Sequence, residues 1–536
     1  MTPIPHGPVK VLIVGAGPSG LMMAAQLLRY GIQPVIIDQR QGPTSRSKAL
    51  AVQARSLEIF RQMGIVDPVI AGGKPAKGVQ LYFRGKALAN FPLSDVGKGQ
   101  TPYPFVHIYQ QYKNERALLD VLTLNSCPVY WNTTLEALQE GTGVVSVTLN
   151  NQEQTYKLVC DHLIGADGHH STVRNKLHIP FVGEAYHNLF YLADVTLDHD
   201  DDQMDMYLTP NGFAAFFPMP EKNKWRIVGS ITGKRAKRDD LTFEEILPLI
   251  RDKTRKSIEI QHCDWFSTYR LHHRMAEKFS HGRCYLIGDA AHVHSPVGGQ
   301  GMNTGLQDAY NLAWKLAGVI NNRLRPAILS TYAAERIPIA TELLKTTDRA
   351  FNIIMSRGLL AGLFKRWVLP FVLKRVWKSD RMRQQLFQRV SQIGLNYTHS
   401  SLSLHLSQLQ TIKAGDRLPY LKVFDEKKLQ ESDLHAWCAR PGFTLLTIGP
   451  LQDMYIFSLA KYISQNYNGW LNYFHLPPGV KNQHVYDAFG IKAGQSRSVI
   501  VRPDMYIGFI NDVVDLEMMR NYLENVVGCI PTNTSE

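Results

Sequence analysis

Near-continuous apolar runs of strand length recur along this chain, and three of them end in small residues, two of these beside an acid. Val9-Lys-Val-Leu-Ile-Val14 leads into Gly15-Ala16-Gly17-Pro18-Ser19-Gly20. Cys160-Asp-His-Leu-Ile-Gly165 leads into Ala166-Asp167-Gly168, and Arg283-Cys-Tyr-Leu-Ile-Gly288 into Asp289-Ala290-Ala291-His292. Such runs suit parallel strands covered on both faces. Leu21 to Arg29 has apolar residues at helical spacing and stops at Gly31, and Pro34-Val-Ile-Ile-Asp38 supplies another strand, so the N-terminal segment predicts a complete βαβ unit. The loop Gly298-Gly299-Gln300-Gly301 opens a predicted helix through Leu306, Ala309, Leu312, Ala313 and Leu316.

The pattern changes over residues 180–280. Segments beginning at Met204, Gly212, Lys224 and Trp265 read as antiparallel strands with turns between them, and a short helix is predicted over 242–254. Gly141-Thr-Gly143 reads as a hairpin turn, and no second GxGxxG follows a predicted strand. Near the C-terminus, Phe443 to Gly449 and Ser498 to Phe509 read as strands.

The first unit has a ready chemistry. Gly15 permits a tight turn, Gly17 lets the backbone approach a pyrophosphate, and Gly20 lets helix and strand pack closely. The helix N-terminus offers free N–H groups to phosphate. Asp38, 23 residues after Gly15, can accept hydrogen bonds from a ribose. A dinucleotide site follows. Asp167 and Asp289 are two more strand-end carboxylates able to reach ligand hydroxyls, and the helix after Gly301 can stabilise negative charge on a ring oxygen.

Composition narrows the class. The 536 residues are 44% hydrophobic and 20% charged, which excludes a disordered or fibrous chain. Six scattered cysteines form no CxxC and no metal-ligand spacing, as expected in a reducing compartment. No signal peptide and no spanning apolar stretch is read, so the expected location is cytoplasmic. The net charge of +13 is uneven: residues 351–400 hold nine Lys/Arg and one acid, +8 in all. Without a nucleic-acid module that excess does not predict a nucleic-acid partner. Apolar and basic positions alternate at helical spacing over 358–377, so this segment is either a connector packing on its neighbours or a contact with an anionic membrane.

The three motifs, in this order over residues 9–345, resemble the class A flavoprotein monooxygenases, with their p-hydroxybenzoate hydroxylase-like fold. The resemblance implies FAD, held by Gly15, Ala16, Gly17, Pro18, Ser19 and Gly20 at the pyrophosphate and by Asp38 at the adenosine ribose. It implies that Asp167 and Gly168 serve both FAD and a transient NAD(P)H, that Asp289 binds the ribityl chain, and that Gly299, Gly301 and Met302 meet the isoalloxazine. Arg46 and Lys48 match basic residues near the cofactor phosphates, and Gln111 (or Gln110, one register off) matches a glutamine on FAD. Ala414-Gly-Asp-Arg417 and Arg502-Pro-Asp504 resemble the C-terminal thioredoxin-like domain of the phenol hydroxylase branch, a structural domain there that often makes subunit contacts, hence a homodimer.

The implied fold is α/β and α+β. A discontinuous Rossmann-like FAD domain (1–75, 101–180, 281–345) carries an inserted antiparallel substrate domain (76–100, 181–280). A basic helical connector (346–400) leads to a thioredoxin-like C-terminal domain without CxxC (401–536). The implied reaction uses NAD(P)H and O₂ to hydroxylate a phenol-like or polycyclic aromatic substrate through a flavin C4a-hydroperoxide; the alternative is an oxidase or reductase of an apolar quinone or isoprenoid. Pro296 fits the family's active-site proline. Leu50 stands where some phenol hydroxylases carry an aspartate, so the base for the phenol is sought among His107, Tyr207, Tyr109 and His262. Tyr207, Phe213, Phe216 and Phe217 are candidates to line an aromatic pocket.

Overall fold

The computed structural model describes residues 4–5, 7–46, 49–94, 96–152, 154–198, 201–238, 240–255, 258–295, 297–426 and 428–532. Lys48 and Pro296 lie outside them.

The three motif-bearing runs form one sheet because each is apolar on both faces. Its strand order is Ser280–His281, Cys284–Leu286, Gln154–Gly165, Val9–Val14, Val35–Ile37, Val129–Tyr130, and the hairpin Thr133–Glu140/Val145–Asn151 extends from Gln154–Gly165. Val9–Val14 pairs in parallel with both of its neighbours, and the register aligns Val14 with Gly165 and Ile37, and Gly165 with Leu286. That register brings Gly15, Asp38, Asp167 and Asp289 to the carboxyl end of one sheet, where ligands bind in open α/β sheets. Helix Pro18–Arg29 starts at the first glycine turn and packs against helix Gly301–Ile320. Gly15 has φ +107°, and a Cβ there would sit 2.4 Å from the Ala166 carbonyl oxygen. A Cβ on Gly20 would sit 1.9 Å from the Gly15 carbonyl oxygen, so strand, turn and helix close only on hydrogen.

The second sheet runs His292–Val293, Ile260–Ala276, Phe181–Leu197, Lys224–Ile231, Gly212–Pro218, Gln203–Thr209, Gly78–Phe83, Lys86–Pro92. It is antiparallel except where Gln203–Thr209 lies parallel to Gly78–Phe83. Alternation divides its side chains. Tyr207, Phe216, Trp225 and Ile227 pack with Ile246 and Ile250 of helix Phe243–Thr254. Phe190, Leu208, Phe213 and Leu271 pack on the other face with Phe351.

The third sheet orders Leu404–Leu406, Ile507–Asn511, Arg497–Val501, Phe443–Ile448, Leu471–Leu476. Its Phe443 ring meets the edge of Trp314 on helix Gly301–Ile320 at 5.5 Å. Buried charges reinforce the junction. Arg502 donates to Glu335 at 2.6 and 3.0 Å and to Asp504 at 3.0 and 2.7 Å, and Arg417 donates to Glu58 at 3.1 Å. All six cysteines are free. Residues 351–400 are helical through Leu359–Leu363, a π-turn at Phe364–Val368, Leu369–Lys378 with Pro370 in its first turn, and Asp380–Val390. Among the described residues no helix is long and apolar enough to cross a membrane.

Candidate active site

One cavity of about 1320 Å³ runs from the carboxyl end of the first sheet to the inner face of the second. A single small ligand takes a pocket of about 300–1,000 Å³, so the space suits two. At one end the wall is Gly15, Gly17, Pro18, Ser19, Asp38 and Arg46. Asp38 is fixed there: its carboxylate accepts the Ala16 N–H at 2.7 Å and the Arg40 guanidinium at 3.0 Å. Arg40 also donates to the Ala16 carbonyl at 2.8 Å and faces Glu115 at 3.5 Å, so it braces the Asp38 end of the cavity. No spacing rule singled out Arg40. Its role arises from the turn after the second strand, which folds its side chain back across Asp38.

Gln111, Asp289, Gly299, Gly301 and Met302 also line the cavity, as does Gly168. Gln110 does not; it is buried and reaches Glu221 at 3.4 Å. Ala16 and Gly20 stand behind the wall, Ala16 contributing the N–H that holds Asp38. Asp167 touches the cavity, but its carboxylate is engaged in starting a short helix, accepting Ser171 O–H at 2.5 Å and Val173 N–H at 3.1 Å. Burial pushes the Asp167 carboxyl up.

The glycine-rich loop is pinned from below. Asn303 donates to the Gly299 carbonyl at 2.8 Å and accepts Gln53 N–H at 2.9 Å, while the Gln53 side chain donates to the Gly298 carbonyl at 2.8 Å. Asp308 holds the third motif: its carboxylate accepts Gly288 N–H at 3.1 Å, His292 Nε2 at 2.7 Å and Arg336 Nε at 2.7 Å. Burial pushes the Asp308 carboxyl up, yet Arg336 and His292 outweigh it and keep the group ionised. Asp308→Asn leaves Arg336 buried without its counter-charge, which costs about 3–5 kcal/mol. The expected result is a lower urea midpoint and weaker retention of a bound dinucleotide; unchanged values for both would show that the loop does not depend on this carboxylate.

Sequence reasoning also missed His294. It is buried in the cavity wall, and a Cβ on Gly301 would lie 3.4 Å from its Nε2. His294 Nδ1 lies 2.7 Å from the Ser295 carbonyl, which can only accept, so Nδ1 carries the proton. Among the described residues Nε2 is then a buried lone pair without a hydrogen-bond partner. Burial lowers the imidazole to about 4, so it is neutral near pH 7. The signal was available in its position two residues after His292, but a lone histidine in a loop carries no pattern.

Of the candidates named for chemistry, Pro296 lies outside the described residues, and Tyr207, His107, Tyr109 and His262 are not brought to the wall. Tyr207 falls on the sheet face turned to helix Phe243–Thr254, where it stacks on Tyr82 at 4.5 Å and donates to Asp205 at 2.9 Å. His107 points away from its cavity-lining neighbour Ile108, with Nε2 2.9 Å from the Val69 carbonyl. Tyr109 donates to the Lys113 carbonyl at 3.1 Å, and His262 is 70% exposed on the outer end of its strand. Phe213, Phe216 and Phe217 all border the cavity; strand parity puts Phe213 and Phe217 on its face of the sheet, while the Phe216 ring packs against Tyr207 at 5.4 Å. Leu50 lines the cavity beside Ile108, so this part of the wall is apolar where a carboxylate could have stood.

Comparison with known proteins gives the family. The model of the FAD binding domain family matches residues 8–347, and that of the phenol hydroxylase C-terminal dimerisation domain matches residues 461–529. The chain is 35% identical over 405 residues to 6-methylpretetramide 4-monooxygenase of Streptomyces rimosus, spanning 75% of this chain and 72% of that one. It is 33% identical over 421 residues to pentachlorophenol 4-monooxygenase of Sphingobium chlorophenolicum, spanning 76% and 75%. Among solved structures, anhydrotetracycline hydroxylase from Streptomyces rimosus superposes with a TM-score of 0.77 at 25% identity over 97% of this chain and 99% of that one. Aklavinone-11 hydroxylase, solved with FAD and aklavinone, gives 0.80 at 22% identity over 98% and 100%, a likeness of fold.

Proposed function

Because this chain belongs to the FAD-dependent aromatic monooxygenases, we propose that its own substrate is a polycyclic phenol, bound against the inner face of the second sheet. The carrying observation is the division of the cavity: a half bordered by the glycine turn, Asp38 and Arg46, then an apolar half walled by Leu50, Met206, Phe213, Phe217, Leu271 and Phe351. The residues present fit FAD. An added Cβ at Gly17 would meet no protein atom within 4 Å, so a ligand backbone can pass there, and the helix N-terminus behind it suits phosphate. When bound, FAD takes electrons from NAD(P)H and activates O₂ to place one oxygen atom on the aromatic ring.

The chain's own contribution is to exclude water, orient and accept a proton. The apolar half keeps the reacting oxygen from water. His294 Nε2 is read as the acceptor of the substrate's phenolic hydrogen, which makes the ring a better nucleophile. His294→Phe should then lower kcat by about 10²-fold while the protein keeps its FAD. With the imidazole near 4, kcat/KM of the native enzyme should fall as pH drops through that value, because the base must be neutral to accept. A His294→Phe enzyme of native kcat would remove His294 from this role.

A panel of phenols with one, two, three and four fused rings tests the size of the substrate. Stimulation of NAD(P)H oxidation should be strongest with the fused-ring members; stimulation confined to single-ring phenols would contradict the proposal. The homodimer is proposed on the match at residues 461–529, where Val480, Val513 and Met518 stand exposed, and light scattering at twice the chain mass is expected.

A further inference from the structure

The basic helices between the second and third sheets carry an apolar face that nothing among the described residues covers. Leu359 and Leu360 are 89% and 84% exposed, and Trp367 and Phe371 are 64% and 66% exposed. Leu363 and Val372 extend the same face. Scattered surface leucines need no explanation, but a contiguous set with two aromatics marks an interaction site. Its outward orientation is fixed by Lys365. That side chain is buried under the π-turn and donates to the Ser356 carbonyl at 2.8 Å and the Thr209 carbonyl at 3.2 Å, tying the segment to the second sheet.

Positive charge surrounds the face. Arg366, Lys374, Arg375 and Lys378 are exposed and, among the described residues, form no ion pair with a carboxylate. We propose that residues 358–378 dock the enzyme on an anionic phospholipid surface, with the exposed leucines and aromatics entering the acyl boundary and the cations meeting the headgroups. Neither other occupant suits the patch. A second copy whose two-fold axis passes through the patch would set this positive segment against itself. Nucleic acid would satisfy the cations and leave the leucines in water.

The location gives the contact a use, which rests on the reading of an apolar substrate. Phe351 and Ile354, on the last turns of helix Ser330–Met355, line the apolar half of the cavity, and Leu359 follows Ile354 by five residues. A polycyclic substrate dissolved in the bilayer could pass from lipid to cavity along one helical segment.

The test uses the full-length, FAD-loaded protein and vesicles of phosphatidylcholine with or without one-third phosphatidylglycerol. Co-sedimentation with the anionic vesicles is expected, at least tenfold weaker with pure phosphatidylcholine and weakened by 0.5 M NaCl. Leu360→Ser combined with Trp367→Ser should reduce partition at least tenfold with the flavin spectrum and turnover of a soluble phenol unchanged. No co-sedimentation with anionic vesicles, or partition that the double variant does not alter, overturns the proposal. A double variant that turns a dimer into a monomer without changing partition assigns the face to a second copy instead, and also overturns it. Because partition is read without substrate, its failure leaves the assigned chemistry standing, and failure of the chemistry leaves partition to be read by itself.

Discussion

Gly17→Ala should give a folded protein that has lost its yellow colour. Gly17 is the N-cap of helix Pro18–Arg29 with φ −77° and ψ −176°, an extended conformation open to alanine, and the added methyl meets no protein atom within 4 Å. Exchanging one weak cap for another costs the apoprotein less than about 1 kcal/mol. The methyl does, however, enter the cavity at the helix N-terminus, where the pyrophosphate of FAD would accept backbone N–H groups. Hydrogen bonds to a charged group contribute about 1.5–3 kcal/mol each, so displacing the phosphates from two of them weakens FAD by about 3–6 kcal/mol. That is roughly 10²–10⁴-fold in Kd. Flavin fluorescence titration measures the loss, and urea unfolding of the apoprotein should show almost no change. Gly15→Ala is the contrasting control. Its methyl collides with the Ala166 carbonyl at 2.4 Å and requires a φ of +107°, so stability and FAD binding should fall together. Native FAD affinity in Gly17→Ala would mean that the glycine turn is only a connector.

The second large effect is expected at Glu335, far from the cavity. Its carboxylate accepts Arg502 at 2.6 and 3.0 Å, Lys315 at 2.7 Å, Asn311 at 2.7 Å and the Ser400 hydroxyl at 2.6 Å, all buried except the half-buried Ser400. Glu335→Ala leaves Lys315 with no carboxylate and Arg502 with Asp504 alone, so about 3–5 kcal/mol should be lost. Hydrogen exchange should quicken first in Arg497–Val501 and Ile507–Asn511, the strands on either side of Arg502. Exchange that is unchanged there would show that the third sheet is held by its apolar contacts, Trp314 on Phe443 among them. The acid limit follows from the same group. Burial pushes the Glu335 carboxyl up, but Arg502 and Lys315 outweigh it and hold the group well below the ordinary value of 4.5. A depressed carboxylate contributes stability that is present above about pH 4.5 and is lost as pH falls toward its folded value. Glu335→Gln should therefore flatten the acid limb of stability.

The cofactor half of the site was legible because its chemistry is local: turn, helix start and strand-end acid follow one another in the chain, and parallel register did the rest. Asp289 directly follows Gly288, and Asp38 stands 23 residues after Gly15, an offset that the βαβ motif itself prescribes. What was not legible depends on parity and on distant contacts. Tyr207 and Met206 differ by one position, and that single step sends one ring behind the sheet and leaves the other side chain in the cavity wall. Arg40 and Asp308 act by reaching back to groups 24 and 20 residues away, distances that no periodic pattern marks. Arg502-Pro-Asp504 and Ala414-Gly-Asp-Arg417 were read as markers of a C-terminal domain, whereas the structure gives them work: their arginines carry the buried ion pairs to Glu335 and Glu58. A sequence shows that such an arginine exists but not that its counter-charge lies 167 or 359 residues away.

Oxygen transfer to an aromatic ring is the step that everything in this site serves. The purified FAD-loaded enzyme, NAD(P)H and the best fused-ring phenol of the panel, under ¹⁸O₂, should yield a product heavier by one ¹⁸O atom for each turnover. Stoichiometric hydrogen peroxide with no labelled product, across the whole panel, would contradict it and favour an oxidase or reductase acting in the same cavity.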